Sequence, residues 1–361
     1  MKAFDDRGMA KSQSECGLLC SRLLLSHLRS LLPLQRPHSI ISLLGAVATI
    51  GLVILILGLH KHRATTTQLT TQLAREPNHL LGGEKPAAKK GKIKTIKDYN
   101  IELSKSKFLK QIAKDSGLSE RAAIVICDLE RNCRHLNGDR LPVSIASLAK
   151  IPIAVALMHK VSTENISLET PIYLNPKNFT EDASDLEVGR SYPLWRLLAA
   201  MLIKSSNIAP NQLIDYLGWD YINQVLQERG YRVTRISSKF SGKAIIPWNL
   251  GWDSNRSSSD ELTEMMVQIY NREHPGDDVL VSLLKYQDDR GLGVAALEKS
   301  PAKWVGEKTG QTSYVLGTTL AMNIADKKYI VTVIDDGYYS ELAVRDSVEK
   351  IAARIASLGH F

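Results

Sequence analysis

Hydrophobic positions fall into distinct regimes along the chain. From 40 to 59 the run IISLLGAVATIGLVILILGL carries no charge, and only Ser42 and Thr49 interrupt it. Twenty helical residues rise about 30 Å, the thickness of a bilayer's hydrocarbon core, so the run predicts a transmembrane helix over 39–59. It starts far from Met1, and His60-Lys61-His62-Arg63 follow it, which does not fit a cleaved leader. Ahead of it, 17–34 sets Arg22, Ser26 and Arg29 on one stripe among leucines. That pattern suits an amphipathic helix on a membrane surface, or a partly ordered tail. Behind it, 60–97 keeps no hydrophobic period and reads as a basic flexible linker. Its Lys85, Lys89, Lys90, Lys92, Lys94 and Lys97 are solvated or touch anionic lipid or polymer.

From 98 to 361 the pattern is continuous and predicts one folded domain. A helix is expected near 105–115, then a β-hairpin over 122–136. Apolar helical segments follow at 147–161, 194–204, 208–217, 220–229 and 259–271. Strand-like alternation returns at 303–308, 316–324 and 329–335, before an amphipathic helix at 341–357. Strands from both ends of the domain with helices between them predict an α/β (α+β) fold, in which one mixed sheet packs against a helical half. A two-residue turn at Arg131-Asn132 would place Cys127 and Cys133 three pairs apart on opposite faces, so free thiols are expected there.

Composition adds one exclusion. The net charge of +8 is confined to the N-terminal segment: 15 Lys and Arg against 5 Asp and Glu precede residue 98, and 31 against 33 follow it. The folded domain therefore has no basic surplus, and nucleic acid is not an expected partner. Arg22, Arg29 and Arg36 before the apolar run and Lys61, Arg63 and Arg75 after it leave its orientation open by charge alone.

Zinc-protease motifs, phosphate-binding loops and zinc-spaced cysteine pairs are absent, and neither a metal nor a cofactor is expected. Three other short motifs carry chemistry. Ser147-Leu148-Ala149-Lys150 opens the apolar helix SLAKIPIAVALM; Ser205-Ser206-Asn207 sits between two helical segments; Lys308-Thr309-Gly310 ends a strand. Ser and Lys three apart share a helix face, so the amine can reach the hydroxyl. Apolar Ile151, Ile153 and Val155 would desolvate Lys150 and lower its pKa, making it a base. A helix start offers free N–H groups where an oxyanion forms. A Ser–Asn pair can pass a proton and orient an amide, and a Lys-Thr-Gly strand edge can bind a carboxylate. Each motif alone is weak; their order and spacing together are not.

Residues 100–357 resemble the class A β-lactamase-like, penicillin-recognising serine hydrolases. The resemblance rests on AIVICDLERN before the serine, MLIKSSNIAPNQLIDYLG around SxN, and KWVGEKTGQTSYVLGTTLAMNI around KTG. It implies a five-stranded sheet with flanking helices and a site between sheet and helical region. It also implies Ser147 as the acylated nucleophile, Lys150 as its base and Ser205 as proton relay. Asn207 would hold the substrate amide, Lys308 and Thr309 the substrate carboxylate. Gly310 completes the motif, and the N–H groups of Ser147 and Gln311 would form the oxyanion hole. The family's substrates, β-lactams or D-Ala-D-Ala-like peptidoglycan peptides, imply a single-pass protein of the inner membrane. Residues 1–38 would be cytoplasmic and the hydrolase domain periplasmic or extracellular.

Three departures stand out. Ser206 replaces the usual Asp of the SxN triplet. No carboxylate falls near Ser241–Lys243, where the family carries the Glu that activates the deacylating water; Asp253 is the only acid between Glu228 and Asp260. Pro152 within the catalytic helix would remove a backbone hydrogen bond. Three readings follow: an acyl-enzyme hydrolase, a D-alanyl-D-alanine carboxypeptidase or transpeptidase, and a membrane-tethered binding protein without turnover. The oligomeric state is left open.

Overall fold

The computed structural model describes residues 106–361. The apolar run at 40–59, the segment 17–34 and the linker 60–97 lie outside the described residues. Among the described residues no helix is long and apolar enough to cross a membrane.

The domain begins with helix α1 (Lys107–Ser116), capped by Ser106 and closed by Gly117 at φ +74°. Strands β1 (Ala123–Asp128) and β2 (Cys133–Leu136) follow, then a 3₁₀ turn (Ala146–Ala149) leading into α2 (Lys150–Thr163). Short strands β3 (Pro171–Tyr173) and β4 (Ser191–Pro193) pair with each other. The helical half continues through α3 (Leu194–Ile203), α4 (Ile208–Leu217), α5 (Trp219–Glu228), α6 (Ser259–Asn271), α7 (Asp277–Leu284) and α8 (Gly293–Leu297). Strands β5 (Lys303–Gln311), β6 (Leu316–Ile324) and β7 (Lys327–Asp335) and helix α9 (Glu341–Leu358) close the chain.

The main sheet has five strands in the order β2-β1-β7-β6-β5, so its two halves do come from the two ends of the domain. Every pairing is antiparallel, which corrects the mixed sheet expected from the sequence. The reason is connectivity: β5, β6 and β7 are joined by short turns and must alternate, and β1 enters opposite to β7. One face presents Ile124, Ile126, Leu320, Met322, Val331 and Val333 to α1 and α9. The other meets α6, where the Thr263 hydroxyl donates to Thr332 Oγ1 at 2.7 Å. Both faces are covered, which is why β1 reads as a continuous apolar run over Ala123–Cys127.

The first hairpin differs from expectation. Asp128 N donates to Asn132 O at 3.0 Å and Arg131 N to Asp128 O at 3.1 Å, with Arg131 at φ +66°. The turn thus holds three residues, 129–131, rather than two, and Cys127 stands directly opposite Cys133. Their Cα atoms are 4.2 Å apart and the two are joined by a disulfide, so the expected free thiols are wrong.

Helix α2 runs through the helical half with Ile151, Ile153, Ala154, Val155, Leu157 and Met158 all buried, as an apolar-all-round sequence requires. Pro152 does not break it. The helix begins at Lys150, so Pro152 lies in its first turn, where amides lack intrahelical partners in any case. Two short helices, α7 and α8, were not legible in the sequence.

Candidate active site

The site is assembled where α2 starts against the edge of β5. Ala146 takes φ +46°, an uncommon conformation for a residue with a side chain, and the 3₁₀ turn after it presents Ser147 half-buried at the surface. Leu148 and Ala149 are buried, which anchors the turn. Lys150 is fully buried, and its Nζ lies 2.9 Å from Ser147 Oγ. The same nitrogen donates to the Ser205 carbonyl at 2.5 Å and to Asn207 Oδ1 at 2.9 Å, and lies 3.1 Å from Ser205 Oγ.

These contacts bear on the chemistry open to Lys150. Burial, reinforced by the positive charge of Lys308 and opposed by Asp182, pulls its pKa well below the usual lysine value. A neutral amine has two hydrogens and one lone pair. The Ser205 carbonyl and Asn207 Oδ1 can only accept, so they take the two hydrogens. In that neutral form the lone pair would face the Ser147 hydroxyl, as a general base requires.

Ser205 and Asn207 reach Lys150 from the loop between α3 and α4. Ser205 sits at φ +55°. Strain of this kind persists only where surrounding structure over-determines it. The loop is tied from beneath by Asp182, which accepts from Asn207 N, from Ile208 N at 3.3 Å, from the Ser206 hydroxyl at 2.8 Å and from the Ser184 hydroxyl. Burial opposes ionisation of Asp182, but those hydrogen bonds outweigh it and hold the carboxyl below its ordinary value.

The third motif lies inside β5 rather than at its end, because the strand runs on to Gln311. Lys308 is fully buried; its Nζ donates to Ser205 Oγ at 3.0 Å and to the Thr309 carbonyl at 2.8 Å. Burial lowers its pKa to about 8, against the pull of Asp289 and Glu307. Gly310 passes against the nucleophile turn. A Cβ there would meet Leu148 N at 2.9 Å and Ser147 N and Ile145 O at 3.0 Å, so only glycine allows this approach.

The remaining expected residues behave differently. The Thr309 hydroxyl donates to Asp289 Oδ2 at 2.7 Å, and its N–H donates to Gln287 Oε1 at 2.9 Å. It is held by the 285–291 loop, and among the described residues it hydrogen-bonds to neither Ser147 nor Lys150. Gln311 is exposed, and its side chain faces Tyr339 Oη at 3.4 Å. So the structure brings together Ser147, Lys150, Ser205, Asn207, Lys308 and the Gly310 backbone, and leaves Thr309 and the Gln311 side chain outside that cluster.

The loop before α6 covers the other side of Lys150. Its contribution is the Phe240 ring, whose centroid is 4.9 Å from Lys150 Nζ. Buried Asn211 on α4 fixes Phe240 by its backbone, accepting its N–H at 2.6 Å and donating to its carbonyl at 2.8 Å. Asp253, the acid in that stretch, is exposed, and among the described residues its side chain accepts from the N–H of Ser254. Glu181 is occupied with the N–H groups of Ala244 and Ile245. Among the described residues no carboxylate hydrogen-bonds to Ser147 or Lys150.

Sequence reasoning missed Asp182, Phe240, Gln287 and Asp289. Only Asp182 left a trace, an Asp-Ala-Ser triplet able to form a local turn, and nothing in it pointed 24 residues ahead to Ser206.

A buried lysine between two serines, beside a glycine-bearing strand edge on this α+β scaffold, defines a serine hydrolase of the β-lactamase and penicillin-binding type. The chain belongs to the Beta-lactamase enzyme family, whose model matches residues 105–358. None of the curated proteins matches it significantly in sequence. Solved structures share the fold. PBP-A is 21% identical with a TM-score of 0.61, over 70% of this chain and 97% of its own. A variant of PBP-A is known as an acyl-enzyme complex with penicillin G. A β-lactamase from Sphaerobacter thermophilus is 21% identical, TM-score 0.59, over 70% and 97%. An ancestral class A β-lactamase is 19% identical, TM-score 0.58, over 70% and 98%.

Proposed function

We propose that the domain acylates Ser147 with a β-lactam or a D-Ala-D-Ala-like peptide and releases the acyl group slowly. The observation that carries this is Lys150 Nζ, 2.9 Å from Ser147 Oγ and within hydrogen-bond distance of two acceptors, the Ser205 carbonyl at 2.5 Å and Asn207 Oδ1 at 2.9 Å. Lys150 takes the Ser147 proton as Oγ attacks the carbonyl carbon. Ser205, bridging Lys150 and Lys308, returns a proton to the leaving nitrogen. The Ser147 and Gln311 N–H groups stabilise the oxyanion, Asn207 orients the substrate amide, and Lys308 pairs with the substrate carboxylate, assisted by Thr309. The penicillin G acyl-enzyme of the PBP-A variant supports β-lactams as acylating substrates.

Phe240 favours a second reading within the same chemistry, a peptidoglycan carboxypeptidase or transpeptidase. An aromatic ring faces Lys150 at 4.9 Å on that side, with no carboxylate among the described residues bonded to Lys150, and carboxypeptidases and transpeptidases need no loop Glu. Labelling with a fluorescent penicillin tests acylation, and release of D-Ala from a D-Ala-D-Ala peptide distinguishes the second reading from simple β-lactam hydrolysis. Absence of labelling overturns both.

The domain is proposed to face the periplasm or cell exterior, tethered to the inner membrane through 39–59. The Cys127–Cys133 disulfide supports this, because disulfides persist in oxidising compartments. A membrane-impermeant thiol reagent should leave Cys16 and Cys20 unlabelled in intact cells; labelling there reverses the topology.

A further inference from the structure

Asp182 lies outside the three motifs, yet it holds the middle one. Its Oδ1 accepts from Asn207 N and from Ile208 N at 3.3 Å, as a cap for the start of α4 would. Capping does not account for its second oxygen. Oδ2 accepts the Ser206 hydroxyl at 2.8 Å and the Ser184 hydroxyl, while Ser206 Oγ accepts from Ala209 N at 3.1 Å. Ser206 is fully buried, so this bridge is its means of satisfying its hydroxyl proton. The loop is therefore clamped between the Asp182 carboxylate below and the Lys150 amine above, with Ser205 held at φ +55° between them. In the S-D-N form of the triplet the central residue is itself a carboxylate. Here Ser206 stands at that place, and a carboxylate from elsewhere in the chain lies 2.8 Å from its hydroxyl.

We propose that Asp182 is the positioning residue of the Ser205–Asn207 loop, supplying from the 176–190 connection the carboxylate that the triplet lacks at Ser206. It touches no reacting atom. Its work is to fix where Ser205 Oγ and Asn207 Oδ1 stand relative to Lys150. The inference rests on the acylation reading above for its kinetic consequence, not for its geometry. A displacement of about 1 Å in a positioned group costs on the order of 10²-fold in rate.

The test compares the full chain with Asp182→Ala and with the double variant Asp182→Ala/Ser206→Asp. The rate constant for acylation by a fluorescent penicillin is read alongside the thermal midpoint. Asp182→Ala should acylate roughly 10–100-fold more slowly, and the double variant should recover most of that rate by returning a carboxylate to the loop. Wild-type acylation by Asp182→Ala overturns the proposal. So does a double variant that regains the thermal midpoint without the rate, since Asp182 would then serve only the end of α4. Should Asp182→Ala fail to fold, Asp182→Asn takes its place, and an unchanged rate there has the same meaning. If the parent chain itself is not acylated, the functional reading fails separately. The positioning role is then read from the crystal structure of the variant. An Asn207 Oδ1 still 2.9 Å from Lys150 Nζ, with Ser205 still left-handed, overturns it.

Discussion

The two sides of Lys150 are built in opposite ways. Toward β5 and the α3–α4 loop it meets four polar atoms within 3.1 Å, each held by a further restraint: Asp182 beneath, Lys308 alongside, Gly310 pressed against the serine turn. Toward the loop before α6 it meets the face of an aromatic ring. Beyond that ring the loop is open, with Ile246, Trp248 and Trp252 each exposed by about two thirds. The two half-reactions of an acyl-enzyme use different sides of such a lysine. The polar side has the contacts that the proposed acylation needs, and among the described residues no carboxylate hydrogen-bonds to Ser147 or Lys150 on either side; on the proposed reading, forming the acyl-enzyme and discharging it are separable.

The most direct way to break this comparison is to remove the nucleophile. Ser147→Ala should abolish covalent labelling by penicillin while far-UV circular dichroism stays unchanged, because Ser147 Oγ caps no helix. Residual labelling at the parent's rate would show that the polar side is not where acylation occurs. Next in size is the contrast itself. General-base assistance is worth roughly 10²–10⁴-fold, so the parent protein should show a stoichiometric burst followed by a slow phase. Intact-protein mass spectrometry should find a lasting adduct on the Ser147 peptide; rapid turnover without adduct would mean that the aromatic side does supply a base.

Gly310→Ala sharpens the polar side. Its Cβ would force the strand off Ser147 N, and acylation should fall on the order of 10²-fold, with a smaller change in thermal midpoint. Lys308 gives a pH test. Its amine is charged below about pH 8 and neutral above, so recognition of a substrate carboxylate should be full below pH 8 and lost above it. A methyl ester of the same substrate should show no such fall, and identical pH profiles for acid and ester would remove Lys308 from carboxylate binding. The smallest expected effect lies on the other side. Asp253→Asn should leave both burst and slow phase unchanged, because the carboxylate bonds only to its neighbour's N–H.

Much of the polar side was legible because it is local. Ser147 and Lys150 are three residues apart, and helical geometry alone predicts that they meet. The glycine at 310 and the serine and asparagine at 205 and 207 were visible as motif residues, and the apolar character of 151–158 announced a buried helix with a desolvated lysine at its start. The antiparallel arrangement of the sheet, the partner of Thr309 and the three-residue turn that joins Cys127 to Cys133 were not visible. Each depends on a register or a connection length that one residue more or less would change.

Sequence by itself therefore determined which chemistry is present: a serine, a lysine at helical spacing, a second serine with an asparagine, and a Lys-Thr-Gly strand. Tertiary structure alone decided what surrounds that chemistry. Asp182 reaches Ser206 from 24 positions earlier, and Phe240 reaches Lys150 from 90 positions later. Periodicity reports which face of an element is apolar. It carries no information about which distant side chain packing will bring against that face, and here Asp182 supports a hydrogen-bonded side of Lys150 while Phe240 covers the other.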